Sequence, residues 1–187
     1  MIFTISGPSG VGKSVITKFL LKNIPDLALL PSYTTRLPDA RDLFGEYIYV
    51  NDEEFLRLIE QNVFAWHVEV HGNRYGTKLA DIVGDRIAMV TLETARDLRT
   101  IAQRKKVDEV ISLYIYCNDY RILRSRLIGR GEKDVERRLR DCHSWNLDAL
   151  QHKFLVWIDN SGELGDTYVG LANALKQFDI TISNAGL

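Results

Sequence analysis

An eight-residue glycine-rich segment near the N-terminus constrains this chain more than any other feature. It reads Gly7-Pro8-Ser9-Gly10-Val11-Gly12-Lys13-Ser14 and fits the pattern G-x-x-x-x-G-K-[ST] in full. A short apolar run at residues 2–5 precedes it as a predicted buried strand, and apolar residues recur at helical spacing after it, to about Lys22. Glycines let backbone N–H groups turn inward around a phosphate, and a helix N-terminus adds unpaired N–H groups. The segment therefore predicts a phosphate-binding loop.

The residue types of this loop also predict individual roles. All eight residues, from Gly7 to Ser14, are expected to bind ATP. Lys13 is expected to reach the β- and γ-phosphates as a catalytic residue, and the Ser14 hydroxyl to ligate Mg²⁺ that arrives with ATP. A chance glycine-rich turn is the alternative, but the strand before the loop and the helix after it favour phosphate binding. His67 and His71 flank a strand without an obvious third ligand, so no separate metal site is expected.

Apolar runs and amphipathic stretches alternate along most of the chain. Strands are predicted at residues 2–5, 27–31, 87–92, 110–116 and 154–158, with helices between them and a last helix at 167–178. This alternation predicts an α/β fold of the P-loop NTPase type, in three layers, with a mostly parallel five-stranded sheet. Residues from about 32 to 85 break the alternation with β-rich pieces around one amphipathic helix. We expect a single domain with a core at 1–31 and 86–187, an inserted β-rich lobe at about 32–85, and a short charged lid at about 129–140.

Composition narrows the possible partners. The chain has 187 residues and a net charge of −1, so neither nucleic acids nor anionic membranes are expected to bind it. No apolar run is long enough to span a membrane, and no basic segment precedes the first apolar run. The two cysteines, Cys117 and Cys142, lack C-x-x-C spacing and fit a reducing compartment. We expect a cytoplasmic monomer or homodimer.

Four further motifs follow the glycine loop. They are S-Y-T-T-R-L-P at residues 32–38, G-E-Y-I-Y-V at 45–50, G-N-R-Y-G-T at 72–77 and L-I-G-R-G at 127–131. With the loop, they make the chain resemble the guanylate kinase family over roughly residues 2–160. The resemblance implies a nucleoside monophosphate kinase that uses ATP and Mg²⁺ to convert GMP or dGMP to the diphosphate. It also implies that the inserted lobe binds the acceptor.

The acceptor phosphate needs a fixed guanidinium, because a bidentate arginine sets orientation as well as charge. Arg36 is the best candidate, and it is also predicted to be catalytic. The resemblance implies that Arg36, Tyr47 and Tyr75 hold the acceptor phosphate, and that Ser32 and Thr77 bind the base edge. The alternatives are sheet packing for the tyrosines and a solvated surface position for Arg36.

A second arginine cluster lies between residues 126 and 140. Arginines that close over a moving phosphoryl group stabilise its charge, and the resemblance implies this role for Arg130 and Arg138. The alternative is a solvated helix face with ion pairs to Glu132 and Glu136. The turn Asp159-Asn160-Ser161 follows the last strand. Resemblance places Asn160 against the donor adenine, and a plain polar turn is the alternative.

Three departures from the family concern the acceptor. Trp66 stands where the family usually has a glutamate that reads guanine, and Asp39 stands in place of a second phosphate-binding arginine. Glu69 cannot take over from that glutamate unless a bulge intervenes, because an odd number of steps along a strand reaches the opposite face. Glu93 keeps a carboxylate at the end of the middle strand and is expected to contact the acceptor. Trp66 marks either a rebuilt pocket or a tryptophan of the lobe core.

Two alternative functions follow. The same transfer could use another acceptor, such as a modified or non-guanine deoxynucleotide or a ribose bisphosphate, and Trp66 and Asp39 favour this. A non-catalytic phosphopeptide-binding module of the same fold is the other alternative. Such modules lack the phosphate loop and lid, so the presence of Lys13, Ser14, Arg130 and Arg138 argues against it.

Overall fold

The apolar runs form a five-stranded parallel sheet. The computed structural model describes residues 1–40, 42–70, 72–105, 109–153 and 155–182, without the side chains of residues 92, 93 and 101–105. The strands are β1 (Ile2–Ser6), β2 (Ala28–Leu29), β7 (Arg86–Met89), β8 (Val110–Tyr116) and β9 (Leu155–Asp159), in the order β2-β7-β1-β8-β9. Every pairing in this sheet is parallel. The predicted fold class is confirmed.

Helices cover the sheet, and their buried side chains form part of the core. They are α1 (Lys13–Asn23), α3 (Leu92–Lys105), α4 (Tyr120–Gly129), α5 (Val135–Ala149) and α6 (Leu164–Leu175). Buried side chains from α1, α4, α5 and α6 pack in one cluster with Phe3 and Ile5 of the central strand. The whole of β1 is buried, as expected for a parallel strand covered on both faces. The carboxyl ends of the strands are thereby held at one edge.

A second sheet lies between β2 and β7 in the chain. It contains β3 (Ser32–Thr34), β4 (Tyr47–Tyr49), β5 (Phe64–Val70) and β6 (Asn73–Lys78), in the order β4-β3-β6-β5. Helix α2 (Asp52–Glu60) is capped by Asn51, whose side chain accepts from the Glu54 N–H, and it buries Phe55 against this sheet. A Cβ on Gly76 would lie 3.1 Å from the Phe55 ring, so the two pack closely.

Several predicted boundaries were wrong. The strand predicted at 27–31 is only Ala28–Leu29, since Pro31 cannot donate a ladder hydrogen bond. The strand predicted at 87–92 ends at Met89, because the Thr91 hydroxyl accepts from the Thr94 N–H and starts α3. The last helix begins at Leu164 rather than at 167. The prediction for Phe154 lies outside the described residues. Within the described ranges, no helix is long and apolar enough to cross a membrane.

Candidate active site

The glycine loop joins β1 to α1 at the carboxyl edge of the parallel sheet. Gly7, Gly10 and Gly12 have φ values of 139°, 88° and 99°, which side-chain-bearing residues rarely adopt. A Cβ on Gly7 would lie 2.2 Å from the carbonyl oxygen of Ile115 in β8. The loop therefore needs glycine both for its turns and for its contact with the neighbouring strand.

Lys13 lies at the start of α1 with its ammonium turned back onto the loop. Its Nζ donates to the carbonyl oxygens of Gly7 and Pro8, at 2.7 and 2.8 Å. Burial lowers the pKa of Lys13 from an ordinary value of 10.5 to about 8, and the positive charge of Arg130 is the second cause of this shift. The cation is thus held inside the loop at a place where phosphate oxygens would stabilise its charge.

Ser14 and Met89 lie side by side below the loop. The Ser14 hydroxyl is 3.9 Å from the Met89 sulfur, and both residues line the cavity described next. In the described part of the chain, no group of three or more His, Cys, Asp or Glu residues could hold a metal ion. The predicted partner of this hydroxyl is a Mg²⁺ that a nucleotide carries in. This assignment stays a prediction.

A single cavity of about 850 Å³ extends from the glycine loop to the second sheet. Of the predicted site residues, it is lined by Gly7, Ser9, Gly10, Gly12, Lys13, Ser14, Ser32, Arg36, Tyr47, Trp66, Tyr75, Thr77, Arg130 and Asn160. Pro8 and Val11 are not among the lining residues. Val11 packs into the main core, and Pro8 meets Lys13 through its carbonyl. The chain thus brings its two predicted phosphate-binding regions to one cavity.

Arg36 is held firmly at the far end of this cavity. Its Nη2 lies 2.7 Å from Asp42 Oδ1, and its guanidinium carbon lies 4.8 Å from the centre of the Tyr47 ring. Asp42 also accepts from the Tyr49 hydroxyl and, at 2.9 Å, from the Asp39 N–H. Although burial alone would raise it, the hydrogen bonds from Tyr49 and Arg36 hold the pKa of Asp42 below its usual range. Both side chains are therefore ionised at neutral pH.

Tyr47 and Tyr75 lie edge to face beside Arg36, with ring centres 6.3 Å apart. The Tyr47 hydroxyl hydrogen bonds to the carboxylate of Glu46, and burial, followed by that charge, raises its pKa. Glu46 is itself buried and accepts from the Leu43 N–H at 3.0 Å. Burial raises the pKa of Glu46 as well. This end of the cavity thus combines one guanidinium and two phenols with the carboxylates of Asp42 and Glu46.

The wall next to Tyr75 comes from β5 and β6. Trp66, Val68 and Val70 line the cavity from alternate positions of β5, whereas Glu69 is 62% exposed and lies 4.0 Å from Arg74. The only irregularity in the β5–β6 register falls between Phe64 and Trp66, so it does not turn Glu69 inward. Glu69 therefore does not replace the absent glutamate, as strand alternation predicted, and Trp66 lies in the cavity wall.

Three further polar residues were predicted to contact the acceptor: Thr77, Ser32 and Glu93. Thr77 is buried, and its hydroxyl donates to the Pro31 carbonyl at 3.3 Å. Ser32 opens β3 and lines the cavity. The side chain of Glu93 lies outside the described part of the structure, so its contact stays a prediction.

The predicted lid is the connection between α4 and α5 with the first turns of α5. Arg130 donates from Nη2 to the Ser9 hydroxyl at 2.6 Å and so touches the glycine loop directly. Arg138 donates to Glu132 at 3.2 Å and is not one of the lining residues. Glu132 also lies 3.8 Å from Arg130, so one carboxylate holds both arginines near the loop. Their catalytic roles stay predictions.

Asn160 lies under the loop rather than in a plain turn. Its side chain donates to the Val11 carbonyl at 2.8 Å, and the residue is only 3% exposed. Arg126, which the sequence analysis left unassigned, donates to the Asn160 carbonyl at 2.8 Å. In this structure the Asn160 amide contacts the loop, and a contact with adenine stays a prediction.

The sequence analysis missed Asp42 and Glu46 as functional candidates, and it gave Arg126 of the arginine cluster no functional role. Each takes its place through a contact that depends on the fold of a loop or on a distant strand. The available signals were the place of Asp42 between Arg36 and Tyr47, the place of Glu46 in the motif at residues 45–50, and the place of Arg126 in the arginine cluster.

Comparison with known proteins agrees with this geometry. The family model described as guanylate kinase matches residues 2–178. The guanylate kinase of Helicobacter hepaticus is 33% identical over 185 residues, covering 94% of this chain and 90% of that protein. That of Geobacter metallireducens is 34% identical over 133 residues, covering 70% of this chain and 66% of that protein. The crystal structure of guanylate kinase from Anaplasma phagocytophilum has a TM-score of 0.68 at 22% identity, covering 97% of this chain and 87% of that one. That structure supports the fold.

Fold, loop and relatives together define an ATP-dependent phosphotransferase of the P-loop class. Within that class, the chain belongs to the guanylate kinase family.

Proposed function

We propose that this protein transfers the γ-phosphate of ATP to a nucleoside monophosphate, with GMP and dGMP as the first candidates. One observation carries the proposal. The glycine loop with Lys13 and the cluster of Arg36, Tyr47 and Tyr75 line the same cavity. Two phosphate-binding ends in one space suit direct transfer between two nucleotides.

The proposed mechanism is in-line transfer without a covalent enzyme intermediate. An oxygen of the acceptor phosphate attacks the γ-phosphorus, the bond to the β–γ bridging oxygen breaks, and ADP leaves. Lys13 and the loop N–H groups hold the donor, Arg36, Tyr47 and Tyr75 orient the acceptor, and Arg130 and Arg138 stabilise charge on the moving group. Mg²⁺ bound with ATP, next to Ser14, would neutralise phosphate charge. The proposed parts are the core at 1–31 and 86–187, the acceptor lobe at 32–85 and the lid at 129–140.

Guanine in this proposal is bound by Ser32 and Thr77, with Glu93 as a further contact. Homology supports guanine, since the relatives named above are guanylate kinases. The proposed setting is the cytoplasm, where the buried thiols of Cys117 and Cys142 stay reduced. A monomer or homodimer is the proposed state, with neither nucleic acid nor membrane as a partner.

A second candidate keeps the chemistry and changes the acceptor to a modified or non-guanine nucleotide, or to a ribose bisphosphate. It is favoured by Trp66, Val68 and Val70, which present an apolar cavity wall, and by Asp39 at the phosphate end. A buried polar edge discriminates strongly because an unpaired group is costly. An indole offers stacking instead, which tolerates several bases.

The test is ADP release with Mg·ATP against GMP, dGMP, IMP, AMP, dAMP, UMP, dTMP, CMP and a ribose bisphosphate. IMP lacks only the 2-amino group of GMP, so the ratio of kcat/KM for the two measures how strongly the site recognises that group of the guanine base. A GMP preference of about a hundredfold or more would support guanine reading. A ratio near one, or another acceptor that exceeds GMP, would support the second candidate. No acceptor-dependent ADP release at all would contradict both.

The matched variant is Trp66→Glu, which returns a carboxylate to the same cavity wall. If the second candidate is correct, this change should raise the GMP preference over IMP. The Lys13→Ala protein serves as the blank for contaminating kinases.

A further inference from the structure

Every polar group of Asn160 is bound to a different part of the fold. Its backbone N–H donates to the Tyr116 carbonyl of β8 at 2.9 Å, and its own carbonyl accepts from Arg126 of α4 at 2.8 Å. Its side-chain nitrogen donates to the Val11 carbonyl at 2.8 Å. Its side-chain oxygen accepts from the Thr167 hydroxyl of α6 at 2.9 Å. The residue therefore has a fixed place and a fixed amide orientation.

The bond to Val11 fixes one peptide plane of the glycine loop. The peptide between Val11 and Gly12 is trans, so its C=O and N–H point in opposite directions. Because the Val11 carbonyl points toward the Asn160 amide, the Gly12 N–H of the same peptide points away from Asn160. Inward N–H groups are what a phosphate-binding loop offers its ligand.

Close packing makes this arrangement specific. A Cβ on Gly12 would lie only 2.3 Å from the Asn160 side-chain nitrogen. Asn160 and Thr167 are each 3% exposed, so solvent does not compete for their hydrogen bonds. The Val11 carbonyl can only accept, so it fixes the amide with its nitrogen toward Val11 and its oxygen toward Thr167, whose hydroxyl donates to that oxygen.

We propose that Asn160 and Thr167 are positioning residues for nucleotide binding, which hold the Gly12 N–H toward the phosphates through the Val11 carbonyl. Neither residue needs to touch the nucleotide for this role. The proposal concerns the donor site alone, so it stands whichever acceptor the enzyme uses.

The experiment is titration calorimetry of Mg·ADP and Mg·ATP with the full chain carrying Asn160→Asp, Thr167→Val or Thr167→Ser. Asn160→Asp replaces the donor with an oxygen of nearly the same shape, and we expect binding to weaken about tenfold or more. Thr167→Val removes the hydroxyl that donates to the amide oxygen and holds the side chain in place, with an expected loss of about threefold to tenfold. Thr167→Ser keeps the hydroxyl and should restore near-normal affinity.

The matched control is Thr4→Val, the same substitution at a fully buried strand position whose hydroxyl has no hydrogen-bond partner in the described structure. It should bind ADP as the parent does. The melting temperature without nucleotide, recorded for each variant, separates folding from binding. If Thr167→Val lowers the melting temperature but leaves ADP affinity unchanged, or weakens binding no more than Thr4→Val does, the proposal is overturned. Should Asn160→Asp fail to fold, the Thr167 pair decides the question.

Discussion

The two ends of the cavity are built differently. At the glycine-loop end, the proposed ligand contacts are mainly backbone groups, and the loop packs closely through Gly7 against Ile115 of β8 and through Gly12 against Asn160. At the other end, the proposed ligand contacts are side chains, which also bind one another, as Arg36 and Asp42 do. The loop that carries them has a fully exposed phenyl ring at Phe44. Contacts from backbone groups suit the end of the cavity whose proposed ligand stays the same. Contacts from side chains can be changed by single substitutions when the acceptor changes.

Removal of the cation at the backbone-built end should have the largest effect. Lys13→Ala should lower kcat by about a hundredfold or more, because it removes the ammonium group that lies against the loop. The measurement is acceptor-dependent ADP release, with circular dichroism to show that the fold is intact. Turnover near the parent rate would remove Lys13 from the reaction and with it the assignment of the donor end.

A substitution at the other end of the cavity, where side chains make the proposed contacts, should change kcat/KM for the acceptor. Arg36→Ala should lower kcat/KM for the acceptor by roughly thirtyfold or more, since a charged partner of the phosphate is lost. The affinity for ATP should change little. Arg74→Ala is the matched control, because Arg74 lies in β6 beside the strand that leads to Arg36, pairs with Asp52 and Glu69, and does not line the cavity. Equal effects of the two substitutions would contradict a role for Arg36 in acceptor binding.

The pH dependence of nucleotide binding should come from the donor end. With a pKa of about 8 in the empty site, Lys13 loses its proton as the pH rises above that value. Phosphate binding needs the charged ammonium, so Lys13 must take up a proton from solution when the nucleotide binds. The dissociation constant of Mg·ADP should therefore rise by up to about tenfold per pH unit above pH 8. Calorimetry in buffers of different ionisation heat should show proton uptake in the same range. Flat binding between pH 7.5 and 9.5 would contradict the lowered pKa, and Lys13→Ala should abolish the dependence.

The same lowered pKa has a consequence for stability. Between about pH 8 and 10.5, the unfolded chain binds this proton and the folded chain does not. This group alone should therefore make the free energy of unfolding of the nucleotide-free protein rise with pH across that window. Below pH 8 both states are protonated, so the contribution stays constant.

The smallest expected effect concerns a residue that does not line the cavity. Tyr49 donates to Asp42, which holds Arg36. Tyr49→Phe should raise the acceptor KM by about twofold to fivefold, with kcat and ATP affinity nearly unchanged, because one hydrogen bond to a charged group is lost. Tyr120→Phe is a suitable control, since Tyr120 has a similar exposure, 39% against 38%, on α4. An unchanged acceptor KM in Tyr49→Phe would show that Arg36 keeps its place without this contact.

The sequence predicted the glycine-loop end of the cavity better than the end around Arg36. The glycine loop was predictable because its backbone angles demand glycine at particular positions, and the outward direction of Glu69 followed from strand alternation alone. Asp42 was not predictable, since its contacts with Arg36, Tyr49 and the Asp39 N–H depend on the path of an irregular loop. The burial of Asn160 beneath Val11 was missed because 149 positions separate the two in the chain. Local patterns cannot report such a contact.

That separation has a consequence for synthesis on the ribosome. The glycine loop leaves the exit tunnel well before Asn160 and Thr167, because Asn160 lies 149 positions after Val11 in the chain. A nascent chain that presents residues 1–150 already contains the complete motif and lacks the strand, the asparagine and the threonine that fix its peptide planes. We expect such an arrested chain to bind ATP far more weakly than one released to residue 182. ATP-agarose capture of arrested chains of the two lengths would measure this difference. Equal capture would mean that the glycine loop reaches its binding conformation without Asn160 and Thr167.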